Sequence, residues 1–429
     1  MDQTRFGANF GIAMKFQPVT QRNFLFLQGP PGPFFWQLSQ QLQMIGCGIF
    51  RINLNGGDAA DWPGTATDYR GSRKRWTLFI DRFLSDHSIT DIVLFGDCRP
   101  LHMAAHRMAQ LRKIDVHVFE EGYIRPDWLT LEPSGVNGNS SLPRDPAFYL
   151  AEARGLPAVP DRPAITANFG RRARDAYRYY SRVVLGRPFY PYYSSHRQGS
   201  LLLEGIGWLY KFAREKRDAA RTEAAIAHLS GAPYFLFPLQ LSNDFQIREH
   251  SPFHDMKEAL DYVLYSFARR APEAARLVIK EHPLDSSLQS WRRHIIKRAR
   301  KMGIAERVIH IAGGNLAELA ASAEGVVTVN STSATLSLVA GVPTIALGKA
   351  IYDIPDITHQ GRLDEFWVRP QAPDRKTYEA FCRVLYDRCL IYGGLASESA
   401  TNTLVESALE RLVGRRVNLG EQAQMKVFG

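Results

Sequence analysis

The sequence predicts an α/β fold of two Rossmann-like domains that face a cleft and are joined by a helical connector. Three observations predict it. Short apolar runs alternate with amphipathic helical segments in both halves, which gives a βαβ series and largely parallel sheets covered on both faces. Arginine, lysine and tyrosine dominate the stretch between the halves. Polar residues gather where the apolar runs end, and open α/β sheets bind ligands at the carboxyl ends of their strands.

The first half reads in order. FLFLQG (24–29) is a strand running into a Gly-Pro turn. FFWQLSQQLQMIG (34–46) has helical spacing at Phe35, Leu38, Leu42 and Ile45. CGIFRINLN (47–55) is a strand, RWTLFIDRFLSD (75–86) a helix and DIVLFGD (91–97) a strand. RPLHMAAHRMAQLRK (99–113) is a helix and DVHVFEEG (115–122) a strand.

The second half repeats the theme. PYFLFPLQ (233–240) is a strand, HDMKEALDYVLYSFARRA (254–271) a helix and ARLVIKEHP (275–283) a strand. SLQSWRRHIIKRARKMG (287–303) is a basic helix ended by Gly303. VIHIAG (308–313), GVVTVN (325–330) and PTIALG (343–348) are strands, with a helix starting at Ser331. The expected division is 1–150 for the first domain, 151–230 for a basic connector, 231–415 for the second domain and 416–429 for a tail. This is the architecture called GT-B among glycosyltransferases, with the ligand between the halves. The connector segment GWLYKFAREKRDAAR reads either as a helix packing on both domains or as a patch for a membrane surface or lipid acceptor.

Composition narrows the classes. The chain has 429 residues, 45% apolar and 22% charged, as ordinary globular proteins do. No stretch approaches the ~20 apolar residues of a membrane span, and the N-terminus lacks a signal-peptide core. The expectation is a cytoplasmic protein, soluble or peripheral to the inner membrane. The 4 cysteines are scattered without a CxxC pair and read as buried, reduced thiols. A formal charge of +10 suits an anionic partner: nucleic acid, an acidic membrane or a nucleotide-bearing substrate.

Six strand ends carry candidate chemistry. LQGPPGPFFWQL (27–38) opens a helix whose free amides favour an anion, although it has neither the GKS/GKT of a P-loop nor GxGxxG. In LFGDCRPLHMAAH (94–106), Asp97 either caps the next helix or holds a substrate hydroxyl. In FEEGYIRPDWLTLEPSGVNGNSSLPRD (119–145), alternation sends Glu120 and Glu121 to opposite faces, so one of them faces the cleft. Arg125 and Asp127 follow, and VNGNSSLPR supplies amide and hydroxyl donors for a polyhydroxylated ligand. In FLFPLQLSNDFQIREHSPF (235–253), Gln240 and the neighbouring amides surround Asp244, either a nucleophile or base or an Asx-turn carboxylate. Lys280 and His282 in VIKEHPLD (278–285) share one face, where they can neutralise the phosphate of a nucleotide leaving group. Last, Asn330 ends a buried strand, and Ser331, Thr332 and Ser333 start a helix that offers amides and hydroxyls to a phosphate or carboxylate. No DxD, HExxH or Cys-His cluster is present, so no metal or other cofactor is expected, and cationic groups are left to stabilise the departing phosphate.

In this order these blocks resemble the bacterial capsule polysaccharide synthesis family of β-Kdo transferases (KpsS or LipB type, related to KpsC and LipA). The likeness covers roughly residues 22–365 and is carried by FLQGPPGPFF, FEEGYIRPDWLTLEPSGVNG, PLQLSND, IKEHP and NSTSATLSLVAGVPTIALGKAIY. The single-module length and EEGYIRP, in place of EDGFLRS, look like the KpsS type. The resemblance implies a CMP-β-Kdo donor and transfer of Kdo to a lysophosphatidylglycerol or Kdo-primed lipid, with retention and with capsule synthesis or export proteins as partners. It places the nucleophile at Asp244, although SND replaces the family's FGD. It places CMP at Lys280, His282 and the helix start Ser331 to Ser333, and the sugar or the proton transfer at Glu121, Arg125 and Asp97. Arg125 would pair with the Kdo carboxylate. Two other readings compete: a CDP-glycerol-type glycerophosphotransferase or other CMP-sugar enzyme, and a basic protein without activity that binds RNA or acidic lipid. The first of the three readings excludes nucleic acid as partner.

Overall fold

The computed structural model describes residues 22–165, 168–194, 201–229, 231–241, 245–285 and 290–425. Twelve strands form two sheets among these residues. The first sheet takes β1 (Asn23–Phe26), β2 (Gly48–Asn53), β3 (Thr67–Asp68), β4 (Asp91–Phe95), β5 (Asp115–Glu121) and β6 (Trp128–Pro133). The second takes β7 (Tyr234–Pro238), β8 (Arg276–Lys280), β9 (Val308–Ile311), β10 (Gly325–Thr328) and β11 (Thr344–Ala346). The last strand, β12 (Leu390–Tyr392), returns to the first sheet, whose order is β12-β6-β5-β4-β1-β2-β3. The second sheet runs β11-β10-β7-β8-β9, parallel throughout. The two doubly wound halves of the expected α/β, GT-B-like architecture are therefore present.

Continuous apolar runs such as DIVLF and YFLFP make strands buried along their whole length because helices cover both faces. Alternation splits the first half's core in two. Phe24, Phe26 and Phe119 pack with Phe34 and Phe35 of the helix Phe34–Met44. Leu25, Leu27, Val116 and Val118 pack on the other face with Trp76 of the helix Arg73–Asp86. Phe119 contacts the rings of both Phe34 and Phe35 at 5.3 and 5.6 Å between centroids. Truncating it to alanine would cost about 3–5 kcal/mol. The 4 cysteines are free and buried, as expected.

Two features depart from the sequence reading. The run after Asp127, to which the sequence assigns no strand, contains β6, which pairs antiparallel with β5 (Phe119 opposite Leu131). The end of the expected second domain, 231–415, also leaves that half. β12 pairs antiparallel with β6, and the helix Glu398–Met425 lays Leu404, Ala408 and Leu412 against the aromatic face of the first sheet. Arg22 fixes the return by donating to the Leu412 carbonyl at 2.8 Å while it pairs with buried Asp91. Strand order in sequence hides such a return, because β12 is only three residues long. The same helix runs through most of the expected tail, to Met425.

The connector divides between the halves. Its first helix, Phe169–Leu185, belongs to the first sheet: the Tyr179 hydroxyl donates to Asp58 (2.8 Å) and accepts from Gln28 (2.7 Å). Gly56 lies so close to this helix that an added Cβ would sit 2.3 Å from the Arg182 carbonyl oxygen. Its second helix, Leu201–Leu229, joins the second sheet, where Ala225, Ile226 and Leu229 pack with Ile311.

Candidate functional site

The carboxyl ends of the two sheets meet at one gap. From the first sheet, β4 runs into Gly96, Asp97 and Cys98. Gly96 has φ +74°, and a Cβ there would lie 3.3 Å from a Glu120 carboxylate oxygen. The glycine is needed at this turn, and it lets the Glu120 carboxylate lie against the backbone. From the second half, the helix Phe245–His250 brings His250 to Cys98, with Nε2 3.2 Å from Sγ.

Asp97 does not cap the following helix, Pro100–Leu111, whose N-cap is Arg99. Its buried carboxylate accepts from the Val136 amide (3.1 Å), from Asn139 Nδ2 (3.0 Å) and from the Cys98 thiol (3.3 Å). Asp97 thus anchors the 136–139 loop. Several of the donors expected to meet a sugar are used by protein: besides Asn139 Nδ2, the Asn137 amide donates to the Tyr123 hydroxyl, and the Ser140 hydroxyl to Glu132. Gly138 of the same loop abuts the His250 ring.

The paired glutamates differ in their surroundings. Glu121 forms an ion pair with Arg172 on the first connector helix. Glu120 is pushed up to about 7, mainly by desolvation and also by the charges of Glu121 and Asp97, against the pull of the Glu121 amide and Arg99. A carboxyl group near 7 carries a proton either way at neutral pH. Sequence left the two glutamates unresolved because alternation says only that they diverge.

On the other lobe, Lys280 ends β8 and His282 lies in the turn that follows it, so the two are neighbours without sharing a strand face. Lys280 is buried, and among the described residues its ammonium makes one long hydrogen bond, 3.5 Å to the Glu281 carbonyl. Burial and the charge of Lys211 lower its pKa. His282 is pushed down to about 4 by burial and by Lys211, Lys280 and Arg125, against the charge of Asp285. Its Nδ1 accepts from the Leu284 amide at 3.1 Å, so the neutral ring carries its proton on Nε2. Arg125, exposed in the loop after β5, donates to the Gly122 carbonyl at 3.2 Å. Lys211, visible in sequence only as part of a basic helix, donates to the carbonyls of Pro283 (2.6 Å) and Asp285 (2.9 Å). Lys211, Lys280 and Arg125, from three segments, thus lie near enough to His282 for their charges to lower its pKa.

The floor beside them is amide-rich. Gln240 Nε2 donates to the Asn330 side-chain oxygen at 2.9 Å, and the Asn330 amide returns a bond to Gln240 Oε1 at 3.1 Å. Asn330 Nδ2 donates to the Gln246 carbonyl at 2.9 Å. After β10 the helical start is shorter than expected: a 3-10 turn, Thr332–Ala334, then the helix Thr335–Val339. Ser331 is the N-cap, accepting from the Ser333 amide at 3.2 Å, and Tyr352, which sequence did not single out, clamps the Ser331 carbonyl at 2.6 Å. Asp244 lies outside the described residues. Among the described residues there is no group of three or more His, Cys, Asp or Glu placed to hold a metal ion.

Two Rossmann-like halves with basic and amide groups at their facing strand ends define a GT-B-like fold. The chain belongs to the capsule polysaccharide biosynthesis protein family, whose sequence profile matches residues 90–394. It is 34% identical over 369 residues to the capsule polysaccharide export protein KpsS of Escherichia coli, covering 85% of this chain and 94% of that protein. It is 35% identical over 375 residues to the capsule polysaccharide modification protein LipB of Neisseria meningitidis serogroup A, covering 84% of this chain and 88% of that one. Among solved structures, the β-Kdo 2,7 transferase region of Thermosulfurimonas dismutans KpsC aligns at 14% identity with a TM-score of 0.42, covering 92% of this chain and 100% of that one.

Proposed function

We propose that this protein is a glycosyltransferase of capsule polysaccharide biosynthesis that transfers Kdo, with retention, from CMP-β-Kdo to a lysophosphatidylglycerol or Kdo-primed lipid. The observation that carries this reading is the convergence of Arg125 from one lobe with Lys280, His282 and Lys211 from the other. Such a cluster suits a ligand with two negative groups, a sugar carboxylate and a nucleotide phosphate. Family membership and the EEGYIRP and IKEHP blocks support the choice of donor.

In this reading the CMP phosphate lies against Lys280 and the Nε2–H of neutral His282, with the backbone of Ser331, Thr332 and Ser333 and the Gln240–Asn330 pair shaping the nucleotide side. Arg125 takes the Kdo carboxylate in a fork of two hydrogen bonds. The Asp244 carboxylate attacks the anomeric carbon as the bond to the phosphate oxygen breaks, and CMP leaves with the bonding pair. The acceptor hydroxyl then attacks the same carbon from the vacated face, which breaks the Asp244 ester and restores the β configuration. Its proton passes to the Glu120–Glu121 pair, where Glu120 has the pKa suited to accept it. Asp97 positions the loop beside that pair. The cations neutralise the departing phosphate, so the reaction is proposed to need no metal ion. The enzyme works at the cytoplasmic face of the membrane that holds its acceptor.

The test is incubation with CMP-Kdo and a lysophosphatidylglycerol acceptor, following CMP release and the product's linkage. Asp244→Ala is expected to abolish transfer while CMP still binds, and a slow variant is expected to yield an Asp244 peptide bearing one Kdo. CMP release from CDP-glycerol in place of CMP-Kdo, or full transfer by Asp244→Ala, would overturn the reading.

A further inference from the structure

We propose that the outward faces of the two connector helices form a docking surface for a bilayer that carries anionic phospholipid. This rests on the lipid-acceptor reading and deepens it by naming the surface that brings the enzyme to its substrate.

The first helix turns Tyr179 and the Gly56-facing Arg182 backbone inward. Half a turn away, Tyr177, Val184 and Leu185 stand out into solvent, 77, 49 and 67% exposed. The second helix turns Lys211 and Thr222 inward, Lys211 to the 283–285 turn and Thr222 to the Ala312 amide. On its opposite face Ile206, Leu209 and Phe212 are 52, 71 and 61% exposed. Phe189 and Tyr192, just past the first helix, are exposed as well. A globular helix normally buries its apolar stripe, as the second helix does with Ala225, Ile226 and Leu229. On top of that, both helices expose a second set of apolar side chains on the face opposite their anchors.

Charge selects the occupant. One turn beyond Phe212, Lys216 and Arg217 continue the outward face of the second helix, and Arg174 lies one turn from Tyr177 on the first. None of the three has an ion pair among the described residues. Apolar side chains interleaved with free cations suit the headgroup region of an anionic bilayer. A second copy of the chain would set like charges against each other. Position agrees. The first helix carries Arg172, which holds Glu121, and the second carries Lys211, which holds the turn after His282. Both helices thus touch segments at the strand ends, where in the proposed reading a lipid headgroup has to arrive.

The test uses the full chain with vesicles of phosphatidylcholine alone or mixed with phosphatidylglycerol, read by co-sedimentation. Leu209→Glu/Phe212→Glu and Tyr177→Glu/Leu185→Glu are compared with Leu78→Glu, an exposed apolar position elsewhere. Unchanged thermal unfolding of each variant confirms that it folds. The wild type and Leu78→Glu are expected to sediment with the anionic vesicles only, and each double variant to lose at least about tenfold in partitioning. Transfer to a short-chain acceptor dissolved in water is expected to stay unchanged in the double variants, while transfer to vesicle-borne acceptor falls. Undiminished vesicle binding by both double variants, equal binding to neutral vesicles, or loss of self-association in place of vesicle binding would overturn the proposal. Absence of any transfer from CMP-Kdo, with vesicle binding intact, would overturn the enzymatic reading and leave the surface standing.

Discussion

Cys98, at the end of β4, and His250, on the helix Phe245–His250 of the second half, meet with sulfur and Nε2 3.2 Å apart. The contact joins the lobes directly beneath the gap. Asp97, next in the chain, fixes the 136–139 loop, and Gly138 of that loop lies flat against the same imidazole. The His250 carbonyl accepts from the Lys349 amide at 2.6 Å, so the ring is held from behind.

Gly138→Ala tests this seam. An added Cβ would fall 2.5 Å from His250 Nδ1 and 2.6 Å from Cγ, so ring or loop has to shift. Overpacking of this kind costs about 1–3 kcal/mol. The expected outcome is a lower denaturant midpoint, together with a fall in kcat for transfer that exceeds any change in CMP affinity, because in the proposed reading the nucleotide is held by one lobe and the sugar by both. Equal losses in the two parameters would place the seam away from the reacting centre.

Lys280→Ala addresses the phosphate. Among the described residues this buried ammonium makes one long hydrogen bond, which in the proposed reading leaves it for the phosphate. Hydrogen bonds to charged groups contribute about 1.5–3 kcal/mol, so CMP affinity measured by calorimetry is expected to fall by roughly 10- to 100-fold. The free protein is expected to be no less stable without Lys280, since the desolvation that lowers its pKa is relieved.

Much of this was legible in advance. Alternation of apolar runs predicted both sheets, and the polar ends of those runs were legible, although β8 stops at Lys280 and His282 lies in the turn after it, not on the strand as two-residue spacing suggests. What sequence could not show is long-range. β12 is three residues long and pairs with a strand more than 250 positions earlier, so no local pattern announces it. His250 and Tyr352 act through backbone and ring contacts that their neighbours in sequence do not reveal. The donors of the 136–140 segment looked available because the sequence does not show that Asp97, Tyr123 and Glu132 already use them.

His282 gives a pH signature. Its folded pKa, about 4, lies below the ordinary value of 6.5. The stability it confers is therefore full above about pH 6.5 and lost as pH falls toward 4, because the unfolded chain binds a proton that the folded one refuses. A bound phosphate opposes the surrounding positive charge and raises the pKa. CMP binding near pH 5 is expected to take up protons, seen as a dependence of the calorimetric enthalpy on the buffer's ionisation enthalpy. His282→Gln, which keeps a donor but does not titrate, is expected to lose that uptake while keeping most of the affinity.

The two glutamates separate by the same reasoning with the opposite sign. Glu120 has a folded pKa near 7, above the ordinary 4.5, so the folded state holds a proton that the unfolded state gives up between those values. Its contribution to stability is lost as pH rises from about 4.5 through 7. Glu120→Gln is expected to raise the unfolding midpoint at pH 8 relative to wild type, by the equivalent of about 1–3 kcal/mol, and to change it little at pH 4.5. The same variant is expected to slow transfer by roughly 100- to 10,000-fold and to remove the rise in rate centred near pH 7. Glu121→Gln breaks the pair with Arg172 instead. It is expected to leave the inflection near pH 7 in place while loosening the first connector helix, read as faster amide exchange along residues 169–185. An inflection that vanishes with Glu121→Gln and survives Glu120→Gln would exchange their roles.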